Sequence, residues 1–589
     1  MTGDDVKKAP SPLWLTLRPG YLALTLGAVV VSLLPLFYTS RYTTNLLILG
    51  ASWAIATLGL VVVLGYAGQI SLAQAAFYGI GAYAVALGTT RWALDWWLAL
   101  ILGLLAATLA GAVLGSTTLK LGGHYLAMVT ICFQIIYTLI TTNWIAVTGG
   151  PDGISNIKRP PFLVPLNSAQ RYAWFALAAL WLVAGLVWWL RDTALGRAMR
   201  AIRENELAAE ALGVDTRRVK VIAFTLSAVI GALGGAIYAS GYLYISPDSF
   251  NFDHAVAFLA MVLVGGSESA LGAILGATLL TFLPEWLRDL KKIYLVIYGC
   301  AIILVIVFMP EGLWGYAKLL GRRFARPPIL PPARGTLRVG GRGTTGEEIL
   351  RVERLVKHFG GLKAVDGVDF SVRRGEIHAL IGPNGSGKTT IINLLSGLYV
   401  PTAGRIHFLG RDVVGSRPNR IARGGMARSF QNLRLFRELS VWENVLVGAQ
   451  REEGSEAETR DRAMAAIEFV GLPDKAHEIC RNLPYGHQKL VELARALAGE
   501  PDLLLLDEPG AGLNQTEKQE LIQLLKRLNE MGLTILIVEH DMSLVSQVAM
   551  TATVLNFGLK IAEGTAEEVL RHPAVVEAYL GDREVALGV

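Results

Sequence analysis

Gly382-Pro383-Asn384-Gly385-Ser386-Gly387-Lys388-Thr389-Thr390 is the stretch on which the rest of this 589-residue chain turns. It fills the pattern G-x-x-x-x-G-K-[ST], follows the apolar run Ile377-His378-Ala379-Leu380-Ile381 and precedes a helical stretch beginning near Thr390. Strand, glycine-rich turn and helix form the context that a phosphate-binding loop requires. The spelling follows from the chemistry. Glycines let successive backbone N–H groups curl around phosphate oxygens at a helix N-terminus, Lys388 adds a point charge for the β and γ phosphates, and Thr389 is placed to ligate magnesium.

Further along, Leu503 to Pro509 reads LLLLDEP. Four apolar residues predict a buried strand that delivers Asp507 to its C-terminal end, where a carboxylate is suited to the magnesium shell. Glu508 beside it is the candidate base that orients or deprotonates an attacking water. An acidic pair at a strand end also serves as a salt-bridged terminus, but its position after a phosphate loop favours the catalytic assignment.

Outside this region the composition changes. A hydrophobic fraction of 52%, 13 tryptophans and only 17% charged residues are averages over two unlike halves. From Tyr21 to Met309 long apolar runs recur with few charges, whereas from Glu347 onward charged and apolar residues alternate as in a water-soluble domain. The formal charge of +6 collects in segments flanking apolar runs rather than on one aromatic-rich face, which favours positive-inside topology over nucleic-acid binding. Cys132, Cys300 and Cys480 stand apart from one another, so neither a zinc site nor a disulfide framework is expected and all three are read as buried thiols. MTGDDVKKAPSPLW, with acidic residues and prolines ahead of the first apolar stretch, argues against a removed signal peptide.

A helix needs about 20 apolar residues to cross a ~30 Å hydrocarbon layer. Stretches of that kind are Tyr21 to Tyr38, Thr44 to Leu64, Leu72 to Leu87, Trp97 to Leu114, Tyr125 to Ile140, Tyr172 to Leu190 and Val221 to Leu243. Ala255 to Gly266, Ala270 to Leu287 and Ile293 to Phe308 follow, the first of them short enough to be a re-entrant or broken helix. The segment 191 to 220, with Arg191, Arg197, Arg200, Arg203, Arg217, Arg218 and Lys220, belongs in the cytoplasm by the positive-inside bias, as must the ATP-consuming C-terminal half. Parity then gives ten spans with an N-terminus inside, at the expense of an outward-facing Arg288 to Lys292.

Within 191 to 220, AMRAIRENELAAEALG predicts two short helices ended by Gly213. An amphipathic helix lying on the membrane would look similar, but a cytoplasmic helix that receives force from the fused ATPase is the favoured role. Gln69, Ser71, Gln74 and Gln134 lie inside spans, where interhelical hydrogen bonding is the expected role and a solute pathway the alternative. Asp253, His254 and Glu285 sit near span ends and receive no functional assignment. Between Leu320 and Gly346 the chain is basic and rich in proline and glycine, which predicts a tether whose arginines lie against anionic lipid.

With these motifs in order, residues 349 to about 582 resemble the ATPase of ABC transporters. The resemblance places Phe359 where an aromatic stacks on adenine and Gln431, in ARSFQN, where a glutamine links magnesium to the permease. Leu483, Pro484, Tyr485, Gly486, His487 and Gln488 occupy the signature that contacts a partner's ATP, and His540, in VEHDM, the switch histidine. It implies a catalytic set of Glu508, His540 and Lys388; an ATP site of Phe359, Gly382 to Thr390 and Gln431; and metal ligands Thr389, Gln431 and Asp507. Two departures stand out: Pro484 replaces the usual signature serine, and Asn514, in EPGAGLN, replaces an aspartate. Both features, together with FGGLKAVDGV from Phe359, are similar to the branched-chain amino acid subfamily. The first half resembles that importer family's permease over residues 44 to 315, in LGYAGQISLAQAAFYGIGAY, TGGPDGI and AIRENELAAEALG.

The resemblance implies a polytopic α-helical membrane domain of about ten spans followed by an α/β P-loop NTPase domain of ABC type with a helical subdomain. The expected division is a tail at 1–20, a permease at 21–312 containing the coupling loop 191–220, a linker at 313–348 and the ATPase at 349–589. ATP and Mg2+ are the implied cofactors. The implied partners are a second permease and a second ATPase, as separate subunits or a second copy, an extracytoplasmic solute-binding protein, membrane lipid and a small-molecule solute. The implied location is the bacterial inner membrane, with the ATPase in the cytoplasm. An importer of amides, urea or aromatic acids, and a membrane-anchored ATP-binding regulator that moves nothing, remain open alternatives.

Overall fold

The computed structural model describes residues 27, 40–117, 124–161, 168–287, 299–300, 303–305, 307–309, 311–321, 330–340, 344–451 and 454–586. The chain divides into two compact units, Met1–Arg203 with Arg217–Pro327, and Glu204–Thr216 with Pro328–Val589.

Helices occupy eight of the ten expected spans. The first span, most of the tenth and the Arg288 to Lys292 segment lie outside the described residues. Among the described residues, five helices are long and apolar enough to cross a membrane: Arg41–Tyr66, Trp96–Thr117, Tyr125–Asn143, Ala169–Asp192 and Thr216–Tyr242. Shorter ones are Gln74–Thr90, Phe252–Gly265 and Ala270–Trp286. At 1.5 Å per residue these three reach only ~26 Å, ~21 Å and ~26 Å, short of a full crossing, and the last two lie against each other. They pack back to back through glycine: a Cβ on Gly276 would lie 1.9 Å from the Met261 carbonyl oxygen. The helix that begins at Arg41 ends in the π-turn Val61–Tyr66, and seven non-helical residues precede Gln74.

Of the four polar residues expected inside spans, Gln74 and Gln134 make bonds between elements, whereas Gln69 and Ser71 fall in the non-helical run before Gln74, and Gln69 Nε2 donates to the Ala67 carbonyl only two residues away at 3.1 Å. Gln74 Nε2 donates to the Ala56 carbonyl at 2.7 Å, and its Oε1 accepts from Ser227 Oγ at 3.0 Å. Gln134 Oε1 accepts from the Ala76 N–H at 2.7 Å, one of the N–H groups in the first turn of a helix that has no carbonyl to use, while its Nε2 donates to the Phe250 carbonyl at 2.7 Å. Gln134→Leu strips both backbone groups of these partners and is expected to cost about 1–3 kcal/mol; a thermal midpoint in detergent unchanged from wild type would contradict that role.

In the second unit a six-stranded sheet places Ile377–Ile381 between Thr534–Val538 and Thr551–Asn556, with Leu503–Asp507 on the far side of Thr534–Val538. These four strands are parallel, so their C-terminal ends share one edge, the side on which open α/β sheets hold ligands. Glu348–Phe359 and Leu362–Arg373 belong to a separate four-stranded antiparallel sheet. Val441–Gly448, Glu456–Phe469 and Tyr485–Leu497 form a helical subdomain.

His378 is buried in the phosphate-loop strand, bonded to Thr551 Oγ1 at 2.8 Å and Thr553 Oγ1 at 3.0 Å and stacked on Phe370. Burial pushes its pKa down to about 4. The unfolded chain, with an ordinary histidine pKa of 6.5, therefore takes up this proton first as the pH falls. Stability is complete above pH 6.5, declines below it and levels near pH 4, a loss of about 3 kcal/mol from this group. In His378→Gln the unfolding midpoint should depend less on pH across that window, and an unaltered slope would rule the effect out.

Two further expectations need correction. Only Cys480 is a buried thiol, for Cys132 and Cys300 are exposed. Cys132 shares a helix with exposed Met128, Ile135, Ile136 and Leu139, an apolar face suited to lipid, where a thiol is tolerated without burial in protein. The basic junction is also less free than a tether of prolines and glycines suggests. Ala333 N–H donates to Glu468 Oε1 at 3.0 Å, Arg334 N–H to Asp461 Oδ1 at 2.5 Å and Gly340 N–H to the Pro501 carbonyl at 3.1 Å. Leu337 and Val339 are buried in the ATPase core. Apolar side chains within a Pro/Gly-rich composition thus bind residues 333–340 to the ATPase.

Candidate nucleotide site

The phosphate loop is built by backbone conformations that L-residues avoid. Gly382, Gly385 and Gly387 have φ of +151°, +80° and +102°. A Cβ on Gly382 would lie 2.2 Å from the Leu555 carbonyl oxygen, and one on Gly387 2.4 Å from that of Ala364. Pro383, Asn384 and Ser386 complete the turn, Thr389 and Thr390 open the helix Lys388–Leu395, and Thr389 is exposed there. Lys388 Nζ donates to the carbonyls of Gly382 at 2.7 Å and Pro383 at 2.8 Å. Burial lowers its pKa, and Glu508 and Asp507 oppose that shift.

Across the shared sheet edge, Asp507 is almost fully buried and Glu508 follows it with φ +48°. Burial raises the Asp507 pKa, and the Arg428 guanidinium works against this. Arg428 Nη2 lies 3.3 Å from Asp507 Oδ2, while its Nη1 donates to Asn393 Oδ1 at 2.7 Å and Ser396 Oγ at 2.8 Å. Asp507 Oδ1 is buried without a hydrogen-bond partner. A buried, unsatisfied carboxylate oxygen at the same sheet edge as the phosphate loop fits a divalent-cation ligand.

Glu508 Oε2 accepts from Gln431 Nε2 at 2.9 Å and lies 3.8 Å from His540 Nδ1. Glutamate, glutamine and histidine predicted from three separate motifs therefore converge. Glu539, which spacing did not single out, is fully buried beside them: its carboxylate accepts from Gly510 N–H at 2.7 Å and from His540 N–H at 3.2 Å. Lys489 was missed as well. Its Nζ donates to the carbonyls of Pro509 at 2.9 Å and Glu508 at 3.3 Å, holding the start of the signature helix to the catalytic strand end. A lysine six residues after Leu483 gives no local signal of this contact.

Phe359 is exposed at the end of its strand, with Tyr399 edge-on at 5.3 Å between ring centroids and Lys357 Nζ 5.0 Å from its own. Tyr399, which sequence reading passed over, widens the aromatic surface. In the signature, Leu483 is buried, its carbonyl accepts from Gln488 Nε2 at 2.8 Å, and Pro484 is the N-cap of the helix Tyr485–Leu497. Tyr485 is exposed and His487 half-buried. A Cβ on Gly486 would meet Glu517 Oε1 at 2.4 Å, so a side chain there requires that carboxylate to shift. The polar contacts of this stretch run to its own turn and to the neighbouring strand end rather than to the phosphate loop. Asn514 caps the helix Gln515–Glu530 in a reciprocal box with Glu517, at 2.9 Å in both directions. Asparagine caps as well as aspartate, so the departure leaves the local structure intact.

The 191–220 segment contains two short helices, Ala194–Glu204 and Glu206–Ala211, broken at Asn205, whose side chain caps the second at Ala208 N–H. Residues 204–216 belong to the ATPase unit. Arg423 Nε donates to the Gly213 carbonyl at 2.7 Å, and Glu438 N–H to Glu204 Oε2 at 3.3 Å. Gly213 takes φ +89°, the conformation for which glycine ends a helix.

A family model described as branched-chain amino acid transport system, permease component, matches residues 42–308. An ABC transporter model matches 365–511, and one for branched-chain amino acid ATP-binding cassette transporters matches 560–585. The high-affinity branched-chain amino acid transport ATP-binding protein LivG of Salmonella typhimurium is 42% identical over 252 residues, 40% of this chain and 99% of that protein. The permease protein LivM of the Escherichia coli high-affinity branched-chain amino acid transport system is 35% identical over 301 residues, 47% of this chain and 71% of that protein. A solved ATP-binding cassette of an ABC transporter, in its ADP conformation, is 34% identical with a TM-score of 0.37, covering 40% of this chain and 99% of its own. The chain therefore belongs to the branched-chain amino acid ABC transporter family, with a multi-pass permease component and an ATP-binding component joined in one polypeptide.

Proposed function

We propose that this chain is the permease and motor of an ATP-driven importer that carries branched-chain amino acids across the bacterial inner membrane. The observation that carries the reading is the convergence of Glu508, Gln431 and His540 at one sheet edge, in a polypeptide whose other half is a permease of that family. Residues 21–312 serve as the permease, 313–348 as the junction and 349–589 as the ATPase.

In the motor, Gly382 to Thr390 bind the phosphates of ATP, and Lys388 exchanges its carbonyl partners for phosphate oxygens. Phe359 offers its face to the adenine. Thr389, Gln431 and Asp507 would hold Mg2+, which when bound supplies charge neutralisation of the β and γ phosphates. Glu508 orients and deprotonates the attacking water, and His540 contacts the γ-phosphate from the neighbouring strand end. Leu483 to Gln488 present a helix N-terminus to the nucleotide of a second ATPase, and with proline at 484 that contact falls to Gly486 and the helix backbone. A second permease and ATPase, as related subunits or another copy, and an extracytoplasmic binding protein complete the assembly. The 191–220 loop carries motor motion to the spans.

The test is reconstitution of the complex, isolated through a tag on this chain, into proteoliposomes with a candidate binding protein. ATP hydrolysis and uptake are measured with and without leucine, isoleucine or valine. Uptake coupled to hydrolysis is the expected result. Hydrolysis indifferent to these amino acids would move the substrate to another small polar solute, and absent hydrolysis in a complete assembly would favour a regulator.

A further inference from the structure

One cation ties the helix end before the discontinuity between Tyr66 and Gln74 to a neighbouring turn. In the π-turn that ends the first described span, Ala67 N–H bonds to the Val62 carbonyl at 3.2 Å and Gln69 N–H to that of Val63 at 2.9 Å. The Gly65 carbonyl accepts from Arg203 Nη1 at 2.7 Å. That same nitrogen lies 2.8 Å from Oε1 of Glu268, in the turn joining Phe252–Gly265 to Ala270–Trp286. The backbones are closer still: a Cβ on Gly65 would lie 1.8 Å from the Ser267 carbonyl oxygen, and one on Gly68, at φ +67°, 2.8 Å from Arg203 Cγ.

Three elements thus meet around one guanidinium with no space for a side chain at 65 or 68. Arg203 is the last residue of the membrane unit before Glu204–Thr216, the stretch packed with the ATPase. A guanidinium shared by a carbonyl and a carboxylate makes charge-assisted bonds, stronger than neutral ones and directional. The elements it joins are a π-turn and a four-residue turn, while the non-helical run at 67–73 packs against the Arg203 side-chain stem. All three lack a continuous i→i−4 ladder and so change shape at least cost.

We propose that Arg203 is the positioning residue that transmits displacement of the 204–216 segment to the broken helix end at 61–73 and to the 266–269 turn. Nucleotide bound in the motor thereby alters the inner mouth of the solute path. The proposal rests on the coupling role of the 191–220 loop. An arginine retained only for topology needs no carbonyl and no carboxylate within hydrogen-bond reach, and Arg203 has both.

The test is hydrogen–deuterium exchange on the complete complex with and without a non-hydrolysable ATP analogue, for wild type, Arg203→Ala, Arg203→Lys and Glu268→Gln. Protection of 382–390 by the analogue is expected in all four. A shift in exchange at 61–73 and 265–270 is expected in wild type, in reduced form in Arg203→Lys and Glu268→Gln, and is lost in Arg203→Ala. An equal shift at 61–73 in Arg203→Ala and Glu268→Gln would overturn the proposal, as would a wild-type complex whose 204–216 segment responds while 61–73 does not. If 204–216 itself is indifferent to nucleotide, the coupling role of the loop fails and the proposal with it. A complex that shows the full pattern but takes up no leucine refutes the assigned substrate and leaves the link standing.

Discussion

Glu508→Gln will slow ATP hydrolysis by ~10² to 10³ while leaving nucleotide binding in place, the scale of losing one well-placed transition-state group. The carboxylate is held by Gln431 at 2.9 Å, faces His540 at 3.8 Å and sits on a residue with φ +48°, a left-handed backbone conformation that is costly for glutamate. Glutamine keeps the shape and accepts a hydrogen bond through its amide oxygen, but it cannot take a proton from water. Binding should survive because the phosphate contacts come from the Gly382 to Thr390 backbone and from Lys388 at the start of the helix that follows another strand. Single-turnover hydrolysis and equilibrium binding of a fluorescent ATP analogue, measured on the same preparation, separate the two effects. A variant that hydrolyses at the wild-type rate would remove Glu508 from the base role, and one that loses binding and hydrolysis together would make it structural.

The second large effect is on stability. Arg428→Met leaves Asp507 buried beside a methionine, with Asn393 and Ser396 deprived of their shared donor. Removing one partner of a buried ion pair typically costs ~3–5 kcal/mol, because the surviving charge keeps its desolvation penalty without its counter-ion. Against a domain stability of ~5–15 kcal/mol this is a large fraction. Urea unfolding of the ATPase half within the full chain, followed by pulse proteolysis, should show the midpoint falling. The double variant Arg428→Met, Asp507→Asn should recover part of the loss, since no unpaired charge then remains. Costs that simply add would mean that the two side chains do not interact through their charges.

Most of the motor was legible because its groups are encoded by contiguous spacing. The phosphate loop is nine consecutive residues following a strand, and Asp507-Glu508 follows four leucines, so strand direction alone delivers both to one edge. Arg428 was not legible: its partner is 79 positions away, and nothing in ARSFQN distinguishes a buried arginine from a surface one. The same holds for Tyr399 beside Phe359 and for Lys489 under the Glu508 carbonyl. In the membrane half, hydropathy located the spans, whereas the partners of Gln74 and Gln134 depend on which helices are neighbours. The burial expected of Cys132 failed for that reason too, since an apolar helix does not announce which side faces protein and which lipid.

By itself, then, the sequence determined the two-part order, membrane helices before a nucleotide-binding domain. It also determined the spelling of the phosphate loop, the acidic pair at a strand end, and the pair of short helices stopped at Gly213. These are properties of local periodicity and of backbone conformations that particular residues alone tolerate. Tertiary structure decided the lateral order of strands that brings Gln431, Glu508 and His540 together, the anchoring of residues 333–340 on the ATPase, and the meeting of Gly65, Arg203 and Glu268. Those depend on packing between segments tens to hundreds of residues apart, where burial, close backbone approach and charge pairing select one arrangement among many that local sequence permits.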